Sequence, residues 1–202
     1  MGRIVISENV TLDGVVEDPT GEEGFRHGGW FLRLGDKDRA AWAELELTEA
    51  RATEALLLGR RSDEWFAARW PARRGAWADR LNGLPKYVVS TTARAPEWSN
   101  ATGCEGKVLN GDPVEEVPAL REELDGDIVV YASIRLAQTL LEHGLVDELR
   151  LTVFPFVLGA GRRLFDGTSL SDPLRLVSTR TVGDDLALLT YRPAHGSRRR
   201  RS

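Results

Sequence analysis

Short apolar runs alternate along the chain with segments of helical spacing, a pattern typical of proteins in which helices cover a sheet. The apolar runs predict strands at Ile4–Ser7, Leu56–Leu58, Lys86–Ser90, Lys107–Leu109 and Ile128–Tyr131. Helical spacing predicts helices at Asp38–Ala55, from Ser62 onward, at Pro113–Leu124 and directly after Ala132-Ser133. In the first helix, the expected buried positions are Trp42, Leu45 and Ala52. Because strands and helices alternate, we expect most strands to be parallel.

The C-terminal part has a different pattern. Leu174–Thr181 and Leu186–Arg192 alternate polar and apolar residues on either side of Gly183-Asp184-Asp185, which predicts an antiparallel strand pair. Pro19–Gly29 and Ala93–Gly106 are rich in polar residues and glycine and are expected to be loops. The predicted fold class is therefore α/β, with a mostly parallel central sheet and antiparallel C-terminal edge strands.

Three predicted strands end in residues that suit a bound phosphate. Gly59-Arg60-Arg61-Ser62 combines a flexible turn, two arginines and a helix start, although a helix cap with solvated arginines explains it equally well. Ser90-Thr91-Thr92 offers three hydroxyls, which are also common in turns. Ala132-Ser133 leads straight into a helix N-terminus, whose free N–H groups attract anions. Ligands of open α/β sheets bind at the carboxyl ends of strands, so we expect these segments to line one edge.

Composition indicates a packed, acidic domain. Of the 202 residues, 42% are hydrophobic, with six Trp and six Phe, which is ample for a core. The net charge is −4 although Arg198–Arg201 add four positive charges, so the body is acidic and we expect no nucleic-acid partner. We predict one domain at residues 1–193 and a polar, arginine-rich tail at residues 194–202. A solvated tail explains these arginines more simply than a nucleic-acid contact does.

Little in the sequence suggests a metal, a disulfide or a membrane. Cys104 is the only cysteine, so no intrachain disulfide can form. The histidines His27, His143 and His195 lack the spacing of a metal site. No apolar stretch approaches ~18 residues. We therefore expect no metal, no membrane contact and a cytoplasmic location.

Four sequence blocks, in order, resemble the dihydrofolate-reductase-like family that includes the C-terminal reductase domain of bacterial riboflavin biosynthesis. The blocks are LDGVVEDP, LLLGRRSDEWFA, LPKYVVST and DIVVYASIRLAQTLLEHGLVDELRLTVFPFVLGAGRRLF. The resemblance covers roughly Gly2 to Pro193. It implies a three-layer dihydrofolate-reductase-like fold, an NADPH cofactor and a homodimer. The implied activity is an NADPH-dependent reduction of a small-molecule substrate that is heterocyclic or imine-like.

The resemblance also implies roles for individual residues. The cofactor-binding positions are Arg60, Arg61, Ser62, Ser90, Thr91, Ala132, Ser133, Ile134 and Arg135. The substrate-binding positions are Gly14, Val16, Glu17 and Trp30. Asp13 is the candidate catalytic or substrate-orienting acid, and a structural role in which its carboxylate caps N–H groups of its own loop is equally open. The glycine-rich segment Val157–Arg163 lacks the Lys-Ser/Thr ending of a nucleotide loop, and the resemblance places it at the pocket rim or in a dimer contact.

Two residues depart from the family pattern. Ala132 stands where relatives usually have glycine, and its methyl group disfavours a positive φ and close approach of a phosphate. Asp63 stands where relatives often have an aromatic residue, and its charge would compete with phosphate at the helix N-terminus. Ala132, together with the lack of an assigned catalytic acid, keeps a second hypothesis open, that of a non-catalytic nucleotide- or ligand-binding protein that retains the fold.

Overall fold

Eight strands form one mixed sheet in a computed structural model, which describes residues 1–168 and 173–194. The strands are β1 (Arg3–Thr11), β2 (Thr53–Gly59), β3 (Lys86–Val89), β4 (Gly106–Leu109), β5 (Asp127–Tyr131), β6 (Glu148–Phe154), β7 (Leu174–Val182) and β8 (Leu186–Pro193). Their order in the sheet is β4-β3-β2-β5-β1-β6-β8-β7. Neighbours among β1 to β6 are parallel, whereas β8 is antiparallel to both β6 and β7. The predicted fold class is confirmed.

Helices cover both faces of this sheet. They are α1 (Asp36–Ala52), α2 (Arg60–Ala67), α3 (Ala76–Gly83), α4 (Glu97–Thr102), α5 (Pro113–Glu123) and α6 (Ile134–Glu142). Successive strand residues face opposite sides, so Ile4 and Ile6 join the core under α5 and α6, while Val5 joins the core under α1 to α4. In the described part of the chain, no helix has both the length and the apolar character needed to cross a membrane. The predicted tail at residues 194–202 lies outside the described residues, apart from Ala194.

The helix that follows β5 lies on the opposite face of the sheet from the helices that follow its two neighbours. β5 leads into α6 on one face, whereas β1 and β2 lead into α1 and α2 on the other. In open α/β sheets such a reversal leaves a crevice outside the carboxyl ends of the strands. Here β1 pairs with β5 only as far as Ser7 and Tyr131, but it continues along β6 to Thr11 and Phe154. A gap therefore opens between the two strands beyond Ser7, and we call it the β1–β5 crevice.

Several helix boundaries differ from those predicted. α1 ends at Ala52, which is exposed rather than buried, and Thr53–Ala55 belong to β2. Trp42 is buried as predicted. Ala93–Gly106 is predicted to be a loop but contains α4, and α3 has no counterpart among the predicted helices. Both helices are short, with eight and six residues, so their stability comes from tertiary packing and leaves little local signal.

Asp63 joins α2 to α4. Its side chain is 1% exposed and accepts the N–H groups of Glu97 (2.7 Å) and Trp98 (3.2 Å) at the start of α4. Burial raises the pKa of Asp63, and these hydrogen bonds offset part of the rise. The expectation that this carboxylate competes with a phosphate at α2 is therefore wrong, because it is committed to α4.

We expect Asp63→Ala to lower the free energy of unfolding by about 2–3 kcal/mol, because two buried N–H groups lose their acceptor. Asp63→Asn should lose less, since the amide oxygen still accepts one bond and a neutral side chain is cheaper to bury. Urea unfolding followed by tryptophan fluorescence measures both variants. Asp79→Ala, at an exposed position of α3, is the control, and an equal loss there would contradict the capping role.

Candidate functional site

The predicted phosphate-binding segments Gly59–Ser62 and Ala132–Arg135 meet at the carboxyl ends of β2 and β5. The Gly59 N–H donates to the Ser133 Oγ (3.0 Å), and the Ser133 N–H donates to the Ser62 Oγ (3.0 Å). We call this reciprocal pair the serine staple, because it ties the two turns together beside the β1–β5 crevice. The structure thus brings both segments to one place, while their contact with a cofactor stays a prediction.

Ser62 is not the cap of α2 that the sequence predicts. The helix begins at Arg60 with Gly59 as its N-cap, so Ser62 lies within the first turn. Its hydroxyl instead serves Ser133, which is 71 positions away in sequence. Local sequence carries no signal for that contact.

Two helices begin side by side at the staple, and neither has a side-chain cap. The residue before α2 and the residue before α6 make no side-chain hydrogen bond to first-turn N–H groups. The positive ends of both helix dipoles therefore lie together. Arg60, Arg61 and Arg135 add exposed guanidinium groups, and the exposed pair of Arg60 with Glu64 (2.9 Å) holds that arginine only weakly. This concentration of positive charge favours a phosphate-bearing ligand.

The turn before α6 keeps a glycine-like backbone without glycine. Ala132 has a φ of 50° and Ser133 a φ of 56°, in the left-handed region that costs a residue with a side chain roughly 1–2 kcal/mol. Ala132 is exposed. The backbone of Ala132, which stands where relatives usually have glycine, is therefore strained.

Ala132→Gly should raise the free energy of unfolding by about 0.5–1 kcal/mol, because glycine relieves the left-handed strain and loses part of that gain to a more flexible unfolded chain. Ala119→Gly, at an exposed position within α5, should instead lower it by about 1 kcal/mol. Urea unfolding of the two variants gives the comparison. Similar losses in both would show that Ala132 is not strained.

Ser90 and Thr91 follow β3, which is separated from the crevice by β2 and β5. The Ser90 Oγ accepts the N–H groups of Thr92 (3.2 Å) and Ala93 (2.9 Å), as serine does in many turns. Thr91 is exposed. Both residues lie at the predicted edge of the sheet, and a contact with a ribose phosphate stays a prediction.

Asp13 clamps the first loop to the segment Val157–Arg163. Its Oδ2 accepts the Gly159 N–H (2.9 Å), and its Oδ1 accepts the Leu158 N–H (3.2 Å) and the Thr11 hydroxyl (2.7 Å). Burial raises the pKa of Asp13, but these hydrogen bonds outweigh burial and the net pKa is lowered. An ionised carboxylate that is engaged in this way suits a structural clamp and does not suit a proton donor.

Glu17 makes a second clamp between the same two segments. Its carboxylate accepts the backbone N–H (2.9 Å) and the Nε–H (3.1 Å) of Arg162. The Val16 N–H donates to the Arg162 carbonyl (3.0 Å), and Gly14 makes the turn between the clamps with a φ of 79°. Gly14, Val16 and Glu17 are thereby joined to Val157–Arg163 in one structure, which we call the rim. Their contact with a substrate stays a prediction.

Trp30 is not the pocket wall that the resemblance implies. Its side chain is completely buried, and its Nε1–H donates to the Glu17 carbonyl (3.0 Å). Its ring packs edge-on against Phe154, with the ring centroids 5.0 Å apart. No face of the indole is open to a flat ligand, so the predicted substrate contact is wrong for this structure. Trp30 anchors the rim to the core instead.

Asp13→Asn should weaken the clamp by about 1–2 kcal/mol at neutral pH, because charge-assisted hydrogen bonds become neutral ones. Folding lowers the pKa of Asp13, so the stability it contributes is present above the ordinary aspartate pKa of about 4 and is lost as the pH falls through the folded value. The two proteins should therefore converge in stability in acid, as measured by urea unfolding at several pH values. A difference that persists unchanged into acid would contradict the clamp, and Asp185→Asn in the exposed β7–β8 turn is the control.

Four buried or half-buried polar residues that the sequence pattern does not single out lie beside the crevice: Glu8, Glu46, Glu49 and Tyr131. Burial, and then the charge of Glu46, raises the pKa of Glu8 well above its ordinary value. Burial, and then the charge of Glu49, does the same for Glu46. One signal exists in the sequence, because Glu46 follows Asp38 and Trp42 at four-residue spacing on the buried stripe of α1.

Comparison with known proteins identifies the family. The model of the family described as RibD C-terminal domain matches residues 3–188. The chain belongs to the RibD C-terminal domain family. This family comprises NADPH-dependent reductases that resemble dihydrofolate reductase, and membership confirms the resemblance of the four sequence blocks.

Individual proteins are similar to this chain over most of its length. YyaP of Bacillus subtilis, an uncharacterized protein, is 28% identical over 194 residues that cover 94% of each chain. A pyrimidine reductase-like protein from Corynebacterium diphtheriae has a TM-score of 0.60 at 14% identity, over 96% of this chain and 92% of that one. Dihydrofolate reductase from Enterococcus faecalis, complexed with NADP(H) and RAB-propyl, has a TM-score of 0.58 at 15% identity, over 96% and 97%. At these identities, the structural matches show a common fold.

Proposed function

We propose that the protein is an NADPH-dependent reductase that transfers hydride to a small heterocyclic or imine-like substrate in the β1–β5 crevice. The observation that carries this proposal is the meeting of two uncapped helix N-termini with three exposed arginines at the ends of β2 and β5. Family membership supports the reaction class. The structural relatives, a pyrimidine reductase-like protein and a reductase complexed with NADP(H), support the substrate class and the cofactor.

The residues at the staple fit a ligand with several phosphates. First-turn N–H groups of α6, which follow the left-handed Ala132, would hold the pyrophosphate. The guanidinium groups of Arg60 and Arg61 would bind further phosphate oxygens, with Ser90 and Thr91 facing the adenosine 2′-phosphate. When bound, the dihydronicotinamide supplies the hydride.

The protein itself would position the substrate and exclude water from the reacting atoms. The clamps at Asp13 and Glu17 fix the rim at the end of β1, and Val16 adds a buried apolar side chain there. A fixed rim holds a flat substrate in a single orientation and keeps bulk water from the reacting atoms. Because Asp13 is ionised and engaged, the proton that accompanies the hydride has to come from another group.

The decisive experiment titrates the protein with NADPH while following the fluorescence of its tryptophans. Arg60→Gln and Arg61→Gln together should weaken binding about tenfold or more, because charged hydrogen bonds to phosphate are lost. Added salt should weaken wild-type binding and have a smaller effect on this double variant. Arg175→Gln, at an exposed position of the edge strand β7, is the matched control. Failure to bind at millimolar NADPH would refute the proposal.

A second candidate is a nucleotide-binding protein without catalysis. It is favoured by the state of Asp13, because this candidate acid is engaged by the backbone of the rim and does not suit a proton donor. Saturable NADPH binding, with no oxidation of NADPH in the presence of dihydrofolate or flavin precursors, would favour this candidate over the reductase.

A further inference from the structure

Three glutamates and one tyrosine lie around the point where β1 and β5 separate, with Glu8 on the face of the sheet under α6 and the other three on the face under α1. Tyr131 ends β5 opposite Ser7 of β1, and the Ser7 hydroxyl donates to the Glu49 Oε2 (3.2 Å). Glu46 lies one turn earlier on the same face of α1, and Glu8 is the first residue of β1 beyond its pairing with β5. We call these four residues the acid cluster.

The acid cluster contains polar atoms that no described residue satisfies. Glu8 is 8% exposed, and its Oε1 is buried without a hydrogen-bond partner. The Glu49 side chain is also 8% exposed, and its Oε1 has no hydrogen-bond partner either, while the Tyr131 hydroxyl interacts with this carboxylate. Unsatisfied buried oxygens are costly, so the Glu8 Oε1 beside the crevice points to a group that enters the crevice and bonds to it.

Charge is unevenly distributed within the cluster. Arg150 of β6 faces it and bonds the Glu49 Oε2 (3.1 Å), but it also contacts Glu148 (2.6 Å) and Asp127 (3.2 Å). Its single positive charge is thus shared by three carboxylates. Within residues 1–168 and 173–194, Glu8 and Glu46 form no ion pair. Their neutral forms are therefore favoured.

We propose that Glu8 is the proton donor for the reduction in the β1–β5 crevice. This inference rests on the proposed function. Glu8 is chosen because it alone combines a place on β1 at the opening of the crevice with an unsatisfied carboxyl oxygen. Asp13 is excluded because its carboxylate is engaged by the rim.

The proton transfer balances for a C=N substrate. As hydride reaches the carbon with two electrons, the π pair of the C=N bond moves onto the nitrogen. That pair takes the proton from the Glu8 carboxyl, the Glu8 O–H bond breaks, and a carboxylate remains. The Glu8 carboxylate then regains a proton from solvent. A buried acid whose pKa is raised well above its ordinary value is suited to this role.

The test is a pH titration of protein labelled with [δ-13C]glutamate, in which the Glu8 signal is identified by its loss in Glu8→Gln. In the free protein this signal should titrate well above the ordinary glutamate pKa of about 4.3. With NADP+ bound, the midpoint should lie about one unit or more below that with NADPH, because the oxidised nicotinamide ring places a positive charge beside the carboxyl. Glu44, exposed on α1, is the control, and its signal should not differ between the two bound nucleotides.

Glu8→Gln provides an independent readout. As a neutral isostere it should bind NADPH within about threefold of wild type. The raised pKa of Glu8 means that its stabilising contribution is complete below about pH 4 and is lost as the pH rises toward the folded value. The variant should therefore lose less stability than wild type as the pH rises, as urea unfolding would show.

The outcomes separate the two proposals. An ordinary midpoint for Glu8, identical midpoints with the two bound nucleotides, or an unchanged pH dependence in Glu8→Gln would overturn the proton-donor role and leave the reductase proposal standing. No fluorescence change with either nucleotide would overturn the proposed function, and the role of Glu8 with it. A raised midpoint that falls with NADP+ supports both.

Discussion

The point at which β1 parts from β5 governs the arrangement of the whole site. Pairing stops at Ser7 and Tyr131, yet β1 continues for four more residues along β6. The helices that follow the two strands lie on opposite faces of the sheet, so no helix crosses over the opening. The turn after β5, the rim after β1 and the acid cluster all adjoin this single gap. A longer β1–β5 pairing would close the space that the site requires.

The turn after β5 shows how side chains can replace a glycine-rich loop. Two successive residues, Ala132 and Ser133, adopt left-handed backbone angles, which cost each of them roughly 1–2 kcal/mol. The serine staple offsets this cost, because the Ser133 hydroxyl accepts the Gly59 N–H while Ser62 accepts the Ser133 N–H. The staple also couples the ends of β2 and β5, so the two helix N-termini are fixed relative to each other before a ligand arrives.

The sequence predicts the layers of this protein better than its individual side-chain contacts. The apolar runs and the C-terminal alternation are local patterns, so the strands and their parallel or antiparallel character follow from them. The meeting of Gly59–Ser62 with Ala132–Arg135 follows from the rule for strand ends. By contrast, the acceptor of the Ser133 N–H and the burial of Trp30 depend on residues that are distant in sequence. Glu8 illustrates the limit most clearly, because its burial depends on where β1 leaves β5, and no local pattern marks that position.

The crevice has exposed arginines at its edge and buried glutamates beside it. Binding of an anion to the arginines depends on whether these glutamates are ionised. Exposed arginines near the ends of β2 and β5 attract an anion, and ionised glutamates nearby would repel the same anion. Keeping Glu8 and Glu46 neutral removes that repulsion. By linkage, an anion that binds more tightly to the protonated cluster also raises the affinity of the cluster for its protons. Cofactor binding and proton storage are therefore expected to reinforce each other, and loss of the proton during reduction weakens the hold on the spent cofactor.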